Sequence, residues 1–534
     1  MKIGKRETIH VSWKRILYTV CFFFVCVIDQ RVKTCAPNGG GREIFRDLSG
    51  ICMAGLILSH YSWKNVVEHK IPYLIWSVVA IAGLPFLFVA GMSWLPFLGD
   101  WVVVVFEIFI WGYVVIATFI NAFLEKNRPK FHKKTVLIWL LMMFLMIISR
   151  SEQVWPFCYL VMFGCFYLTD YCKDERDDLL QGALNGIILS FFIFQGLCFL
   201  YRPYDAVRYV GWYTNCNNNA LYYVIVLAAV LTKLYGVKQK QSSKWLQGYY
   251  YLGVGTVLSF LFMTIGRASW ITAIILTFFT LFFLCNHNGK KTWLRNGCII
   301  IVCMCLTFPL CFAAARYIPP LRHHPIWFEE EWNPYKVHSW DPWDSEKYID
   351  IDELLDAALG RVVETIMELI DHMVPALKAS AAEANQPLFG ENDTYDGFTV
   401  RTSIYKHFWD ELNWRGHTRD EIGLQLTSAY WVGHAHNIFL QFGTDFGIPV
   451  MVLFAVLLVW SLVNCFRQCL VRKNTVVMGS FLWLQIPLLF GMFEYAWGAG
   501  SLVLFMLFFS WRDVFWSEEW KDTDARTGIP AGEC

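Results

Sequence analysis

Long apolar runs recur along this chain, and nothing else in it restricts the fold as strongly. Residues 448–463 contain no charged group, and residues 220–231 are equally free of charge. Crossing a bilayer as an α-helix takes about 20 mostly apolar residues. On that measure the sequence predicts fourteen spans, at 16–29, 44–60, 71–90, 101–124, 135–149, 154–171, 182–200, 218–235, 248–265, 269–285, 297–315, 436–464, 476–494 and 497–515. Composition agrees. Of 534 residues, 56% are hydrophobic and only 17% charged, against about a quarter charged in soluble proteins. That balance excludes a water-soluble globule, a disordered chain and a coiled coil. The expected fold is an all-α polytopic membrane protein of about 12–14 transmembrane helices with one large extracytoplasmic loop.

Net charge says little: 45 Lys and Arg stand against 44 Asp and Glu, so no bulk attraction to nucleic acid follows. Placement says more. With the N-terminus inside, 27 basic residues fall in the cytoplasmic loops, 8 in the short outer loops and 10 in the long loop 316–435. Short loops rich in Lys and Arg stay inside, so both termini are expected in the cytoplasm. The first run is followed by Asp29, Gln30 and Arg31 rather than small residues, which argues against a cleaved signal peptide. Most of the 17 Cys lie within apolar spans, and only Cys35 and Cys216 fall in outer segments. No disulfide framework and no Cys/His metal spacing follows. The chain divides into a bundle at 1–200, further spans with outer-face polar motifs at 201–315, the loop 316–435, spans at 436–516 and a tail at 517–534.

The loop opens with Pro319-Pro320 and continues into an acidic and aromatic stretch, 327–344, holding Glu329, Glu330, Asp341 and four Trp. Such side chains suit sugar faces and hydroxyls, and equally an interfacial belt. Leu355, Leu359, Val362, Ile366, Ile370 and Met373 then recur at helical spacing with charges between them, an amphipathic surface helix. A second helix is expected at about 401–413.

Few charges lie at the ends of the spans, and each is costly there. Four stretches stand out. Arg208 to Ala220 carries Asn215, Asn217, Asn218 and Asn219 at the mouth of a span. One Asn suffices for an N-cap, and four offer a polar ligand more than that. Gly266-Arg267 forms a tight turn between spans, where an Arg fork can hold phosphate oxygens or simply snorkel. Arg401 to Lys406, read alone, is a solvated helix face. Finally His434-Ala435-His436-Asn437 precedes Gln441 and Gly447-Ile448. Two His so spaced can bind metal, yet only Asp445 is in local register as a third ligand, so no metal is expected.

Taken in order, Arg208/Gly211/Asn215/Asn217/Ala220, Gly266-Arg267, Arg401, Gly416 and His434/His436/Asn437/Leu440/Gln441/Gly447-Ile448 resemble the O-antigen ligase and O-antigen polymerase family of bacterial multi-span membrane glycosyltransferases. The likeness covers roughly 200–465. It departs at Cys216, where the family often has Pro, and after Gly416-His417, which lacks the second Gly of the family's G-x-G. The resemblance implies an enzyme of the bacterial cytoplasmic (inner) membrane with no cofactor. Its donor is a glycan on undecaprenyl diphosphate, and its acceptor is a glycan or lipid-linked hydroxyl. A base takes the acceptor proton, and cationic groups stabilise the departing diphosphate. On that implication His436 is the base with His434 beside it, Arg267, Arg401 and Arg208 hold the diphosphate, and Asn217 and Asn437 bind substrate. Polymerisation of repeat units is the favoured activity, ligation to lipid A core or another final acceptor the alternative. A flippase or transporter fits the span number, but it places polar groups near the bilayer midplane, often within internal repeats, and no repeat is visible here.

Overall fold

Backbone groups in hydrocarbon must satisfy one another, and this chain meets that demand with helices. The computed structural model describes residues 12–34, 50–94, 98–151, 153–200, 204–205, 208–213, 215–289, 291–321, 351–360, 362, 397–418, 421–427, 430–494 and 501–515. The acidic and aromatic stretch at 327–344, most of the amphipathic helix after it and the C-terminal tail lie outside these residues.

Two compact units emerge. The first includes the chain to Lys130 and Val161–Phe192; the second comprises Phe131–Leu160 and Ile193–Ser517. The first contains α1 (Trp13–Thr34), α2 (50–58), α3 (Trp63–Glu68), α4 (Lys70–Trp94) and α5 (Leu98–Phe119), which continues as a π-helical turn at Ile120–Leu124. α6 (Lys133–Ile147) belongs to the second unit, and α7 (Trp155–Leu168) and α8 (Lys173–Leu200) contribute to both. In the first unit, Gly182 and Gly186 let α8 meet α1. A Cβ on them would come within 2.4 Å of Tyr18 Cβ and 2.6 Å of the Thr19 carbonyl oxygen, respectively. Small residues four apart are how membrane helices bring backbones together. Glu175, near the start of α8, binds Lys14 Nζ at 2.6 Å and His60 Nδ1 at 2.8 Å and accepts from Tyr18 Oη at 3.3 Å, tying α1, α8 and the end of α2 together.

The second unit opens with a short antiparallel pair, β1 (Tyr204–Asp205) and β2 (Arg208–Tyr209), in the register Asp205↔Arg208. Then follow α9 (Cys216–Gln239), α10 (Lys244–Met263), α11 (Arg267–Asn288), α12 (Lys291–Leu321), α13 (351–360) and α14 (Gly397–Asp410). β3 (Leu424–Thr427) and β4 (Tyr430–Val432) form a hairpin. α15 (Ile438–Phe446), α16 (Ile448–Val471), α17 (Thr475–Leu489) and α18 (Leu502–Phe515) complete it. α9 is the centre: every residue from Asn219 to Gly236 is buried, with α10, α11 and α17 packed around it. A helix that is apolar all round belongs inside. α12 packs on α10 where Gly255 faces the Cys303 backbone. Its opposite face, with Ile301, Val302, Leu306 and Leu310, is exposed, an apolar surface suited to lipid.

Among the described residues, six helices are long and apolar enough to cross a membrane: Glu107–Leu124, Asp174–Leu200, Cys216–Gln239, Arg267–Asn286, Thr292–Ile318 and Ile448–Val471. Lys70–Gly83, Trp155–Leu168 and Thr475–Leu489 are apolar but shorter. The chain is a helical polytopic membrane protein. Several expected boundaries move. α8 begins at Lys173 rather than 182, because Asp174 and Glu175 stand in its first turn, where the helix dipole favours acid. α12 runs on through Pro319 and Pro320 to Leu321.

The span expected at 436–464 is broken. Gly447, at φ +99°, ends α15 and starts α16, with Pro449 in the first turn that follows. Gly adopts that backbone without a Cβ clash, and Pro fits where no amide donor is needed. His436 and Asn437 therefore lie in a connection before a nine-residue helix, outside the span. α14 replaces the expected 401–413 helix and is not simply a solvated face. Ile404 and Phe408 are buried with Leu426, Val432, Ala435 and Leu440, so the unexpected β3–β4 hairpin and α14 form one small core beside the His434–His436 connection. Gly416 (φ +75°) fits against the Asp445 carbonyl, where a Cβ would stand 2.2 Å away. The bonds Ile448 N to Asn413 O and His417 N to Thr444 O, both 2.8 Å, pin this loop to the α15–α16 corner.

Candidate functional site

Glu494 is the hub around which the expected residues gather. It follows α17 and is 8% exposed. Its Oε1 accepts from Arg401 Nη2 on α14 at 2.5 Å and from Asn217 Nδ2 on α9 at 3.0 Å. Its Oε2 faces His436 Nδ1 at 3.4 Å. Asn217 Oδ1 in turn accepts from Arg208 Nη2 at 2.9 Å, and Arg208 Nε donates to the Thr264 carbonyl at 2.9 Å. That carbonyl ends α10, where the helix dipole favours a cation. Residues far apart in sequence thus meet within the second unit.

Each side chain is set by local structure. Of the four Asn at the mouth of α9, Asn215 caps the helix, accepting from Asn217 N at 2.8 Å. Asn219 donates to the Tyr209 carbonyl at 3.4 Å, close under Gly211 (φ +61°). Asn217 is left to reach Arg208 and Glu494. The His434–His436 connection is held more tightly still. His436 adopts φ +47°, a left-handed backbone uncommon outside Gly. Ala435 N donates to Gln441 Oε1 at 2.8 Å, and Gln441 Nε2 donates to Asp445 Oδ1 at 2.8 Å. Asn437 caps α15, accepting from Phe439 N at 3.0 Å and Leu440 N at 3.2 Å, while its Nδ2 donates to the Met492 carbonyl at 3.3 Å. Its amide is engaged within the protein, so Asn437 positions its neighbours where substrate contact was expected. Tyr405 Oη donates to the carbonyls of Met492 (2.8 Å) and His436 (3.3 Å), and Ile438 N to that of Gly491 (2.7 Å). These bonds fix the 491–494 segment, and Glu494 with it.

The electrostatics follow from the contacts. Burial alone would raise the Glu494 carboxyl, but His436, Arg401 and Arg208 outweigh it and hold it below the ordinary carboxylate range. A carboxylate only accepts, so His436 Nδ1 carries the proton toward it and Nε2 is left as an acceptor. That is the arrangement of a general base oriented by an acid. His434 lies against it, ring centres 4.3 Å apart and the rings tilted by 45°. Burial, and then the neighbouring His436, lower His434 from 6.5 to about 4, so it stays neutral at pH 7. Burial pushes the Tyr405 phenol up to about 12, leaving it a donor at every working pH. Between pH 6.5 and about 4 the unfolded chain binds a proton at His434 that the folded one refuses, so stability falls as pH drops through that window. Melting temperatures from pH 7 to 4.5 should fall less steeply for His434→Gln than for the unaltered protein.

The structure brings Arg208, Asn217, Arg401, His434 and His436 together. Arg267 opens α11, two residues past the Ile265 carbonyl, which lies 3.5 Å from Arg208 Nη2. Among the described residues, no three His, Cys, Asp or Glu lie together as a metal site. Sequence reading missed Glu494 itself, although it is the only acidic residue between Asp445 and Asp513. The rule that singled out the Arg residues, a charge at the edge of an apolar span, applies to it equally. Against protein-family models, curated proteins and solved structures, nothing matches this chain.

Proposed function

We propose that this protein is a metal-independent glycosyltransferase of a bacterial cytoplasmic membrane. It transfers a glycan from undecaprenyl diphosphate to an acceptor hydroxyl on the outer face and so polymerises surface polysaccharide repeat units. The observation that carries the reading is the meeting of the His436 imidazole and the Arg401 guanidinium on a single buried carboxylate, with the Arg208 guanidinium one bond behind through Asn217. His436 Nε2 takes the acceptor hydroxyl proton as its oxygen attacks the anomeric carbon. The bond from that carbon to the diphosphate oxygen breaks, and its electron pair leaves on the diphosphate. Arg401 and Arg208 stabilise the charge so released, with Arg267 next to them in sequence order at the start of α11. The order of motifs along the chain supports the same reading, and so does their position at span ends, which differs from the midplane sites of transporters.

The test uses purified protein in bilayer nanodiscs with a lipid-linked glycan donor and a metal chelator. The expected result is release of undecaprenyl diphosphate with glycans lengthened by whole repeat units. Transfer of the glycan once, to a different final acceptor, favours the ligase activity. Passage of intact donor across vesicles without a new glycosidic bond ends the transferase reading.

A further inference from the structure

Glu494 makes a contact that a transferase should avoid. The group expected to meet a diphosphate, Arg401, is already bound to an anion that belongs to the protein. We infer that Glu494 Oε1 occupies the position of a donor phosphate oxygen, and that the diphosphate of the lipid-linked donor displaces it. This rests on the transferase reading above.

The geometry argues for displacement rather than a permanent tie. Two donors of the kind that bind phosphate, a guanidinium N–H from α14 and an amide N–H from the first turn of α9, converge on one carboxylate oxygen at 2.5 and 3.0 Å. Arg208 stands one bond behind them through Asn217. The start of α9 adds the positive end of a buried helix dipole. Meanwhile the second oxygen, Oε2, lies 3.4 Å from His436 Nδ1, longer than a well-formed bond. The carboxylate is thus shared, and its better contacts go to Arg401 and Asn217. The backbone of 491–494 is held through Gly491 and Met492, so the exchange needs only a rotation of the Glu494 side chain. When phosphate oxygens take Arg401 and Asn217, the carboxylate is released toward His436 Nδ1. Donor binding then orients the base, and Glu494 is a positioning residue that keeps His436 poorly engaged until a donor arrives.

The inference makes an opposed prediction for affinity and turnover. Glu494→Gln removes the competing charge, so diphosphate should bind more tightly, by about tenfold. It also removes the carboxylate from His436, so the turnover of saturating donor should fall by at least about tenfold. Inorganic pyrophosphate, uridine diphosphate and undecaprenyl diphosphate serve as competitors, with binding followed by thermal shift and by inhibition. Glu494→Ala removes the same charge and replaces the Gln variant if that is not recovered folded. Pyrophosphate affinity equal to or weaker than that of the unaltered protein overturns the inference, because Glu494 is then only a tie between arginines. A preference for uridine diphosphate over undecaprenyl diphosphate overturns the lipid-linked source. Tighter pyrophosphate binding by the variant of a protein that never transfers glycan keeps the anion site and ends the transferase reading. Transfer with unaltered anion affinity ends this inference alone.

Discussion

His436→Asn should lower the rate of glycan transfer by about 10²–10⁴-fold, the usual worth of a positioned general base, while the protein remains folded in the membrane. Asn is the informative replacement. His436 sits at φ +47°, and Asn, like His, is among the residues that tolerate the left-handed region. An Ala variant would confound loss of the base with backbone strain, since such conformations cost on the order of 1–3 kcal/mol and persist only where neighbours enforce them. Here the enforcement is visible: Ala435 N is held by Gln441, the His436 carbonyl by Tyr405, and the next residue caps α15. Initial rates at equal amounts of purified protein, beside melting temperatures, separate chemistry from folding. A near-normal rate in His436→Asn removes the general-base assignment. His434→Asn should reduce the rate far less, because His434 lies against the ring of His436, whereas His436 Nδ1 is the atom that faces Glu494 Oε2.

Much of this site was legible in the sequence because charge stands out against an apolar background. Arg208, Asn217 and His436 each lie beside a long apolar run, where an ionisable or amide group is costly without a partner; Arg401, on a stretch that alone reads as a solvated helix face, entered only through the order of motifs. What the sequence did not expose is which partner each had chosen. Asn437 reads as a ligand group and also caps α15; capping depends on where a helix starts, and the apolar pattern starts this span at 436, ahead of the cap. The α15–α16 break is the clearest case. Gly447-Ile448-Pro449 is a turn signal, but apolar residues on both sides carried the hydropathy pattern straight through it. The β3–β4 hairpin was hidden for a different reason. Its strands are short, and their burial comes from α14 and Leu440, contacts made by folding rather than by local pattern. Glu494 was passed over as the last residue of an expected span, although its charge carried the same signal as the arginines.

Arg401→Gln should be the most disruptive single change to the folded site, and its effect should be largely repaired in stability, but not in activity, by adding Glu494→Gln. Glu494 is buried and Arg401 is about 30% exposed, so the pair falls between a surface ion pair and a fully buried one. Removing the guanidinium leaves a buried carboxylate with Asn217 and His436 as its remaining partners, a loss of about 1–3 kcal/mol, intermediate between the two regimes. In the double variant no charge is stranded, and two amides can bond to one another and to Asn217. Stability should therefore return toward that of the unaltered protein. Transfer should not, because the double variant lacks both a cation for the leaving diphosphate and the carboxylate that orients His436. A double-mutant cycle in thermal stability, with glycan transfer measured on the same four proteins, reads both effects. Additive losses of stability would mean that Arg401 and Glu494 do not act as a pair. Recovery of transfer in the double variant would mean that neither group serves the reaction, and that the cluster exists to hold α14 against α9.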